Sequence, residues 1–430
     1  MKALVLGATG LIGSAIVARL KAEGVSITAV ARSPDSASRR LAADVIQYKD
    51  LRNTLHQQDW EPLLSGVDVV INCAGVLQDG GRDSTRAVHL DAPAALFEAC
   101  EKAGVKRIIH FSAMGANQQA LSDFSRTKGD AESVLQASTL DWIILRPSVV
   151  VGRSAYGGSA LFRGLAALPW SVRIRDAGRI SVVQLDDVVE TVVRLLRDDR
   201  PTRVALDLSG PDPLTFEDVV ARYRAWLGWK PAPLLAVPSP LMSITYALGD
   251  VAGRLGWRPP IRSTARREMI RGAEGDPTAW TRLTGITPRS LDEALLSEPA
   301  SVQERWFARL FLLKPLVIGI FAFFWILTGI VSLGPGYDIG TALMIEAGAG
   351  PLSGPIVIAG GLADLAVGAG ILWRPTTKYA LWGGLALTVA YLIIGTLILP
   401  RLWEDPLGPM MKVWPILALN LVALAILDER

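Results

Sequence analysis

Gly7-Ala8-Thr9-Gly10-Leu11-Ile12-Gly13 decides the fold, because it stands between a short hydrophobic run at residues 2–6 and an apolar-periodic stretch at residues 11–23. Gly7 permits a tight turn, Gly10 lets the backbone approach a pyrophosphate, and Gly13 lets a helix pack on a sheet with its N-terminus aimed at negative charge. Three spaced glycines alone are weak evidence. Here they follow the first strand, and the alternation continues: residues 26–31, 45–48, 67–72, 107–112 and 142–146 read as strands, with helical stretches such as 92–103 between them. That pattern predicts an α/β fold, a Rossmann-type doubly wound parallel sheet with ligand at the carboxyl ends of its strands. Gly7, Thr9, Gly10, Leu11, Ile12 and Gly13 are therefore candidate dinucleotide-binding residues.

At the end of the second strand an NAD-selective site carries an acidic residue for the ribose 2′-hydroxyl, and this chain has Ala31-Arg32-Ser33. A guanidinium beside a hydroxyl suits a 2′-phosphate, so NADP(H) is favoured over NAD(H), with Arg32 and Ser33 as its contacts. The plainer reading, an exposed loop arginine, stays open, as does a supplementary role for Arg39 and Arg40.

Half of the 430 residues are hydrophobic, and the excess lies after Phe311. A net charge of +3, with scattered basic residues, excludes a nucleic-acid footprint. Cys73 and Cys100 read as small buried hydrophobes of a reduced compartment, and His56, His89 and His110 are too widely spaced for a metal site. Met1 leads straight into the first strand, so no signal peptide is expected. The expected domains are a nucleotide domain at 1–230, the remainder of a small substrate lobe and linker at 231–300, and an all-α membrane bundle at 301–430. In the lobe, Thr215 with Asp218 three residues on marks a capped helix start. Residues 241–248 read as an amphipathic helix that either packs on the core or lies on the bilayer surface.

Four later segments, 315–333, 354–373, 379–399 and 409–427, approach the roughly 20 apolar residues that cross a bilayer. Arg305, Arg309 and Lys314 precede the first, Arg374 and Lys378 make the second turn, and residues 334–353 contain no lysine or arginine. The positive-inside rule then places both termini and the nucleotide domain in the cytoplasm, at a bacterial-type inner membrane. Asp364, inside an apolar span, must face the bundle and find a partner. Glu346 is expected at the far interface.

Gly7 to Gly13, Asp50-Leu51, Asn72-Cys73-Ala74-Gly75, Ser112, Lys128 and Leu145-Arg146-Pro147-Ser148 follow one another as landmarks over about the first 295 residues. In them the chain resembles the atypical extended short-chain dehydrogenases, a group that includes the dehydrogenase-like accessory subunit of respiratory complex I. The resemblance implies that Asp50 and Leu51 bracket the adenine and that Cys73, Ala74 and Gly75 line the ribose. It likewise puts Ser112 beside the nicotinamide, Lys128 on the nicotinamide ribose, and Pro147 and Ser148 at the amide; Ser112 and Lys128 are the catalytic candidates it carries over. Phe124-Ser125-Arg126-Thr127-Lys128 departs from the family, which has an acid–base tyrosine at the first position. His89 stands where many relatives have asparagine. The C-terminal part resembles the DoxX-like four-span domains, through Gly360-Gly361-Leu362-Ala363-Asp364 and Leu372-Trp373-Arg374-Pro375.

Two functions are expected from this combination. One is hydride transfer from NADPH to a lipophilic acceptor from the bilayer, a quinone or isoprenoid, with water or His89 supplying protons. The other is a non-catalytic nucleotide-binding sensor or assembly subunit of a membrane protein complex. Phe124 favours the second, and a membrane tether fits both.

Overall fold

Along β1 (Lys2–Leu6), Ala3 and Val5 enter one hydrophobic cluster while Leu4 and Leu6 enter another. The same split recurs at Ile27 and Ala29 against Val30, and at Ile143 and Leu145 against Ile144. A strand's side chains alternate, so a sheet buried on both faces needs apolar residues at consecutive positions. The computed structural model describes residues 1–34, 38–81, 83–116, 118, 122–174, 176–197, 201–406 and 408–427. After β1 come α1 (Leu11–Ala22), β2 (Ser26–Ala31), β3 (Val45–Tyr48), β4 (Val69–Asn72), α2 (Ala92–Ala103), β5 (Arg107–Phe111), α3 (Asp123–Gln136), β6 (Asp141–Pro147), α4 (Leu185–Leu195) and β7 (Val204–Leu208).

The sheet order is β7-β6-β5-β4-β1-β2-β3, and every neighbouring pair is parallel. The order reverses between β1 and β4, which opens a crevice at their carboxyl ends. Two differences from the expected strands have local causes. β4 starts at Val69, because Val67 N–H donates to Leu64 O and is held in the preceding turn. β7 was not anticipated; it gains its place by pairing with Ile143 to Pro147 of β6.

The lobe has its own core around Phe162, Phe216 and Tyr223. At the head of α5 (Phe216–Trp226), Thr215 Oγ1 accepts from Asp218 N at 3.1 Å and Asp218 Oδ2 accepts from Thr215 N at 3.0 Å, a complete capping box. Then follow α6 (Ser239–Arg254) and α7 (Ser263–Arg271). The chain divides into two units, Met1–Val251 with Pro259–Ala308, and Ala252–Arg258 with Arg309–Arg430.

The second unit contains most of α8 (Val302–Leu333), then α9 (Tyr337–Glu346), α10 (Ser353–Leu372), α11 (Thr377–Ile398) and α12 (Val413–Ala425). Among the described residues three helical stretches are long and apolar enough to cross a bilayer: Val302–Leu333, Gly350–Leu372 and Thr377–Ile398. The fourth expected span is shorter than predicted. Residues 409–412 form turns behind Gly408, whose φ is +58°, so α12 has 13 helical residues. It nevertheless returns to the end of the bundle where α8 enters, since Lys314 Nζ and Arg374 Nη2 both donate to Leu427 O, at 3.0 and 3.4 Å. Glycines set the spacing of α8 and α10: a Cβ on Gly329 would lie 2.6 Å from Gly361 O, and one on Gly368 would lie 2.9 Å from Ala322 O. Leu316, Ile320, Phe323, Leu327 and Ile330 point outward. Asp364 is buried in the bundle and accepts from Tyr391 OH at 3.1 Å.

Arg146 and Glu132 form a buried ion pair in the nucleotide domain, joined through Nε–Oε1 at 2.9 Å and Nη2–Oε2 at 2.5 Å. Asp207 stands 3.7 Å from Arg146 Nη1. Removing one partner of such a pair strands a desolvated charge, whereas replacing both by apolar groups does not. Glu132→Ala should therefore destabilise this domain by about 3 kcal/mol, read from its unfolding in the detergent-purified chain. Glu132→Leu combined with Arg146→Met should recover most of that loss.

Candidate functional site

The turn after β1 leaves no room for side chains. Gly7 has φ +66°, and a Cβ there would stand 2.7 Å from Ala74 N and from Cys73 C and O. A Cβ on Gly13 would come within 2.3 Å of Gly7 O. The turn closes through Gly10 N donating to Gly7 O at 2.9 Å, and α1 begins at Leu11 with no side-chain cap on Gly10 and no acidic residue in its first turn. The positive end of α1 thus opens on the crevice between β1 and β4. Leu11 and Ile12 also pack on the core cluster beneath.

Across the crevice, Cys73, Ala74 and Gly75 leave β4. Cys73 N donates to Leu6 O, and Ala74 N donates to Asn72 Oδ1 at 3.1 Å. Lys128, from α3, is buried below them and donates to Ala74 O at 3.1 Å and Phe111 O at 2.7 Å. A lysine has three N–H donors, so these leave one for a ligand. Gly75 faces it, with a Cβ there 3.7 Å from Lys128 Nζ. Burial pulls the Lys128 ammonium down to about 8, against weaker opposing fields from Cys73 and Glu132. Ser112 is buried after β5, and its Oγ has no hydrogen-bond partner among the described residues. Gly7, Cys73 to Gly75 and Lys128 thus meet in one crevice.

Phe124 sits one turn before Lys128, its ring edge-on to His89 with centroids 5.5 Å apart. His89 is fully buried; its Nε2 accepts from Val76 N at 3.0 Å, so the ring proton is on Nδ1, which donates to Thr127 Oγ1 at 2.9 Å. Thr127 in turn donates to Asp123 O at 2.7 Å. Burial, reinforced by the positive charge of Lys128, keeps His89 well below the usual histidine range. Both nitrogens are committed and the ring is neutral, which corrects the expectation that His89 supplies protons. His110 is likewise buried and neutral, its Nδ1 accepting from Asn72 Nδ2 at 3.1 Å.

The remaining expected contacts have partners of their own. Arg32 Nη1 is 2.8 Å from Asp83 Oδ1, a carboxylate that sequence reasoning missed, and Ser33 is exposed beside it. Asp50 caps the turn at Leu51–Asn53 and accepts from the Arg52 side chain, which lowers its carboxyl below the usual range. Leu51 packs on the second core cluster. Pro147 O accepts from Met114 N, and Ser148 Oγ donates to Ala273 O at 2.6 Å. Sequence reasoning also missed Glu268 and Arg271 on α7: Glu268 accepts from Ser122 and Ser125 at the head of α3 and pairs with Arg271, which donates to Met114 O at 2.8 Å. No spacing signal links these segments, which are far apart in the chain.

Because the Lys128 ammonium is easier to deprotonate folded than unfolded, the unfolded chain binds the extra proton between about pH 8 and the ordinary lysine value. Stability must rise with pH across that window. Without nucleotide, the unmodified protein should gain on Lys128→Met between pH 8 and pH 10, seen as a change in the difference of their Tm values; a constant difference contradicts the assignment.

Residues 7–198 match the family described as NAD(P)H-binding, and residues 322–421 match the DoxX-like family. Sterol demethylase protein B of Methylococcus capsulatus is 28% identical over 331 residues, covering 71% of this chain and 99% of that protein. The mitochondrial NADH-ubiquinone oxidoreductase 40 kDa subunit of Neurospora crassa is 28% identical over 225 residues, 50% of this chain and 58% of that one. The solved structure of MoeE5 in complex with UDP-glucose and NAD superposes with a TM-score of 0.54 at 20% identity, over 73% of this chain and 100% of its own, a likeness of fold. The chain thus combines an N-terminal NAD(P)H-binding domain of Rossmann fold with a C-terminal DoxX-like membrane domain.

Proposed function

We propose that the protein is a membrane-anchored NADP(H)-dependent reductase acting on a lipophilic acceptor drawn from the bilayer. The observation that carries this reading is one chain joining a Rossmann crevice with a buried lysine donor to three helices of bilayer-crossing length. Gly7 to Gly13 would take the pyrophosphate, Asp50 and Leu51 the adenine, Cys73 to Gly75 and Lys128 the riboses, and Ser112, Pro147 and Ser148 the nicotinamide. The name of the sterol-demethylase relative, which covers the lobe as well, supports a lipid-like substrate class.

Within that class Phe124 favours a quinone. A hydride delivered to a secondary-alcohol precursor leaves a localised alkoxide that needs an acid at once. A quinone takes the same hydride to a hydroquinone anion whose charge spreads over the ring, and water supplies the proton. NADPH is oxidised to NADP⁺ and the quinone is reduced by the same electron pair. Arg32 supports NADP(H) over NAD(H), with Asp83 as the group a 2′-phosphate must displace.

Binding measured by calorimetry should favour NADPH over NADH; Arg32→Ala should erase the preference, and Asp83→Asn should strengthen it. Equal affinities in the unmodified chain refute the assignment. In a single turnover, NADPH bound to the detergent-purified full chain should be oxidised by added quinone, while simple secondary alcohols with NADP⁺ give no appreciable reaction. Asp364→Asn tests the bundle: lost quinone turnover with an intact fold makes Asp364 part of the mechanism, and unchanged turnover removes it.

The second reading is a non-catalytic nucleotide sensor or assembly subunit of a membrane protein complex, favoured by the Phe124–His89 packing, which puts a ring without a hydroxyl one turn before the lysine and commits the histidine beside it. It predicts that NADPH raises the Tm by mass action without any oxidation by quinone. Under either reading the basic residues before α8 and in the turn after α10 support a cytoplasmic nucleotide domain and cytoplasmic termini, in a bacterial-type inner membrane. The return of α12 to Lys314 and Arg374 supports the same orientation. A reporter fused after Arg430 that works only outside the membrane overturns it.

A further inference from the structure

Helix α6 is laid the wrong way round for a soluble domain. Leu241, Ile244, Leu248 and Val251, spaced three and four residues apart on one face, are each about half exposed or more. Leu234 and Leu235, just ahead of the helix, are exposed as well. The opposite face carries what would ordinarily be outside: Asp250 is turned inward, accepting from Gln78 Nε2 at 2.9 Å and Ser263 N at 3.3 Å. Gly249 is so close to the chain at Ile261 that a Cβ would lie 1.8 Å from the carbonyl oxygen. Tyr246 is buried on that side, with the Arg266 guanidinium 6.0 Å from its ring centroid. The helix is therefore pinned by its polar face, and the apolar stripe cannot roll inward.

The far end of the helix runs into the membrane unit. Beyond Val251 the chain belongs to the membrane unit. There Trp257 Nε1 donates to Leu372 O, the last residue of α10, at 2.7 Å, and Arg374 N donates to Leu255 O at 3.0 Å. The Arg374 guanidinium lies 5.2 Å over the Trp257 ring. An indole and an arginine at the end of a span mark headgroup depth. Exposed Arg254 and Arg258 flank the stripe at that end, next in the chain to the tryptophan. A helix with an outward apolar stripe and arginines at its border matches a helix lying in the plane of a membrane surface.

We propose that α6 is an interfacial helix, with Leu241, Ile244, Leu248 and Val251 inserted among the lipids of the leaflet at the α10 C-terminus and Arg254 and Arg258 on anionic headgroups. The inference is independent of catalysis.

The test uses the full chain in vesicles of phosphatidylcholine and phosphatidylglycerol. Ile244→Cys, Leu248→Cys and, on the neighbouring exposed face, Ser243→Cys are each labelled with a small environment-sensitive fluorophore; the unmodified chain, with Cys73 and Cys100, sets the background. Labels at 244 and 248 should be quenched by nitroxide-bearing lipid at least twice as strongly as the label at 243, with iodide showing the reverse order. Arg254→Glu with Arg258→Glu should reduce the lipid quenching at 248 in anionic vesicles. Equal iodide quenching at the three sites overturns the proposal. Protection at 244 and 248 from both iodide and lipid nitroxide also overturns it, because a protein then covers the stripe.

Discussion

The nucleotide domain depends on an absence of clearance. The turn after β1 lies so close to the chain leaving β4 at Gly7, and to the start of α1 at Gly13, that neither glycine can carry a single extra carbon. That contact brings the start of α1 and the segment from Cys73 to Gly75 to opposite sides of one crevice. It also leaves a helix terminus and backbone N–H groups open, and these serve an anion only when nothing larger than hydrogen intervenes. The alternation of Ala3 and Val5 against Leu4 and Leu6 holds the strand rigid behind the turn.

Beneath the crevice the buried polar groups form two sets with different histories of satisfaction. His89 and Thr127 close on one another and on the Asp123 carbonyl, so the His89 ring has no proton to lend, whereas Asn72 engages only Nδ1 of His110 and leaves its buried Nε2 without a partner among the described residues. Lys128 and Ser112 are open as well: one N–H and one hydroxyl have no partner among the described residues. Buried donors left open in a crevice are where a ligand gains most, because it replaces a desolvation cost already incurred on folding.

Most of the fold was legible because it rests on local pattern. The strands at Lys2–Leu6, Ser26–Ala31 and Val45–Tyr48 and the helix Ala92–Ala103 fall where periodicity put them, and the Thr215 cap is complete. The misses share a cause. Val204–Leu208 has only one β-branched residue, and its pairing with β6 makes it a strand. Arg32 with Asp83, and Glu268 with Ser122 and Ser125, join residues distant in the chain, and no spacing encodes them. Hydropathy counted residues 409–412 into a span, but Gly408 turns them out of the helix. Phe124 was readable as a lost hydroxyl, whereas the commitment of His89 that makes the loss complete required coordinates.

The shortness of α12 bears on the bilayer itself. Thirteen residues at 1.5 Å each span about 20 Å, against a hydrocarbon core of about 30 Å. Its C-terminal end is held beside Lys314 and Arg374, so the missing length lies at its N-terminal end, behind residues 400–403 and the turn at 409–412. Arg401 enters that region joined to Glu346 by two bonds of 2.5 Å, each partner neutralising the other. A helix of that length would match only a locally thinned hydrocarbon layer, so membrane thickness would be a variable to which this flank of the bundle responds.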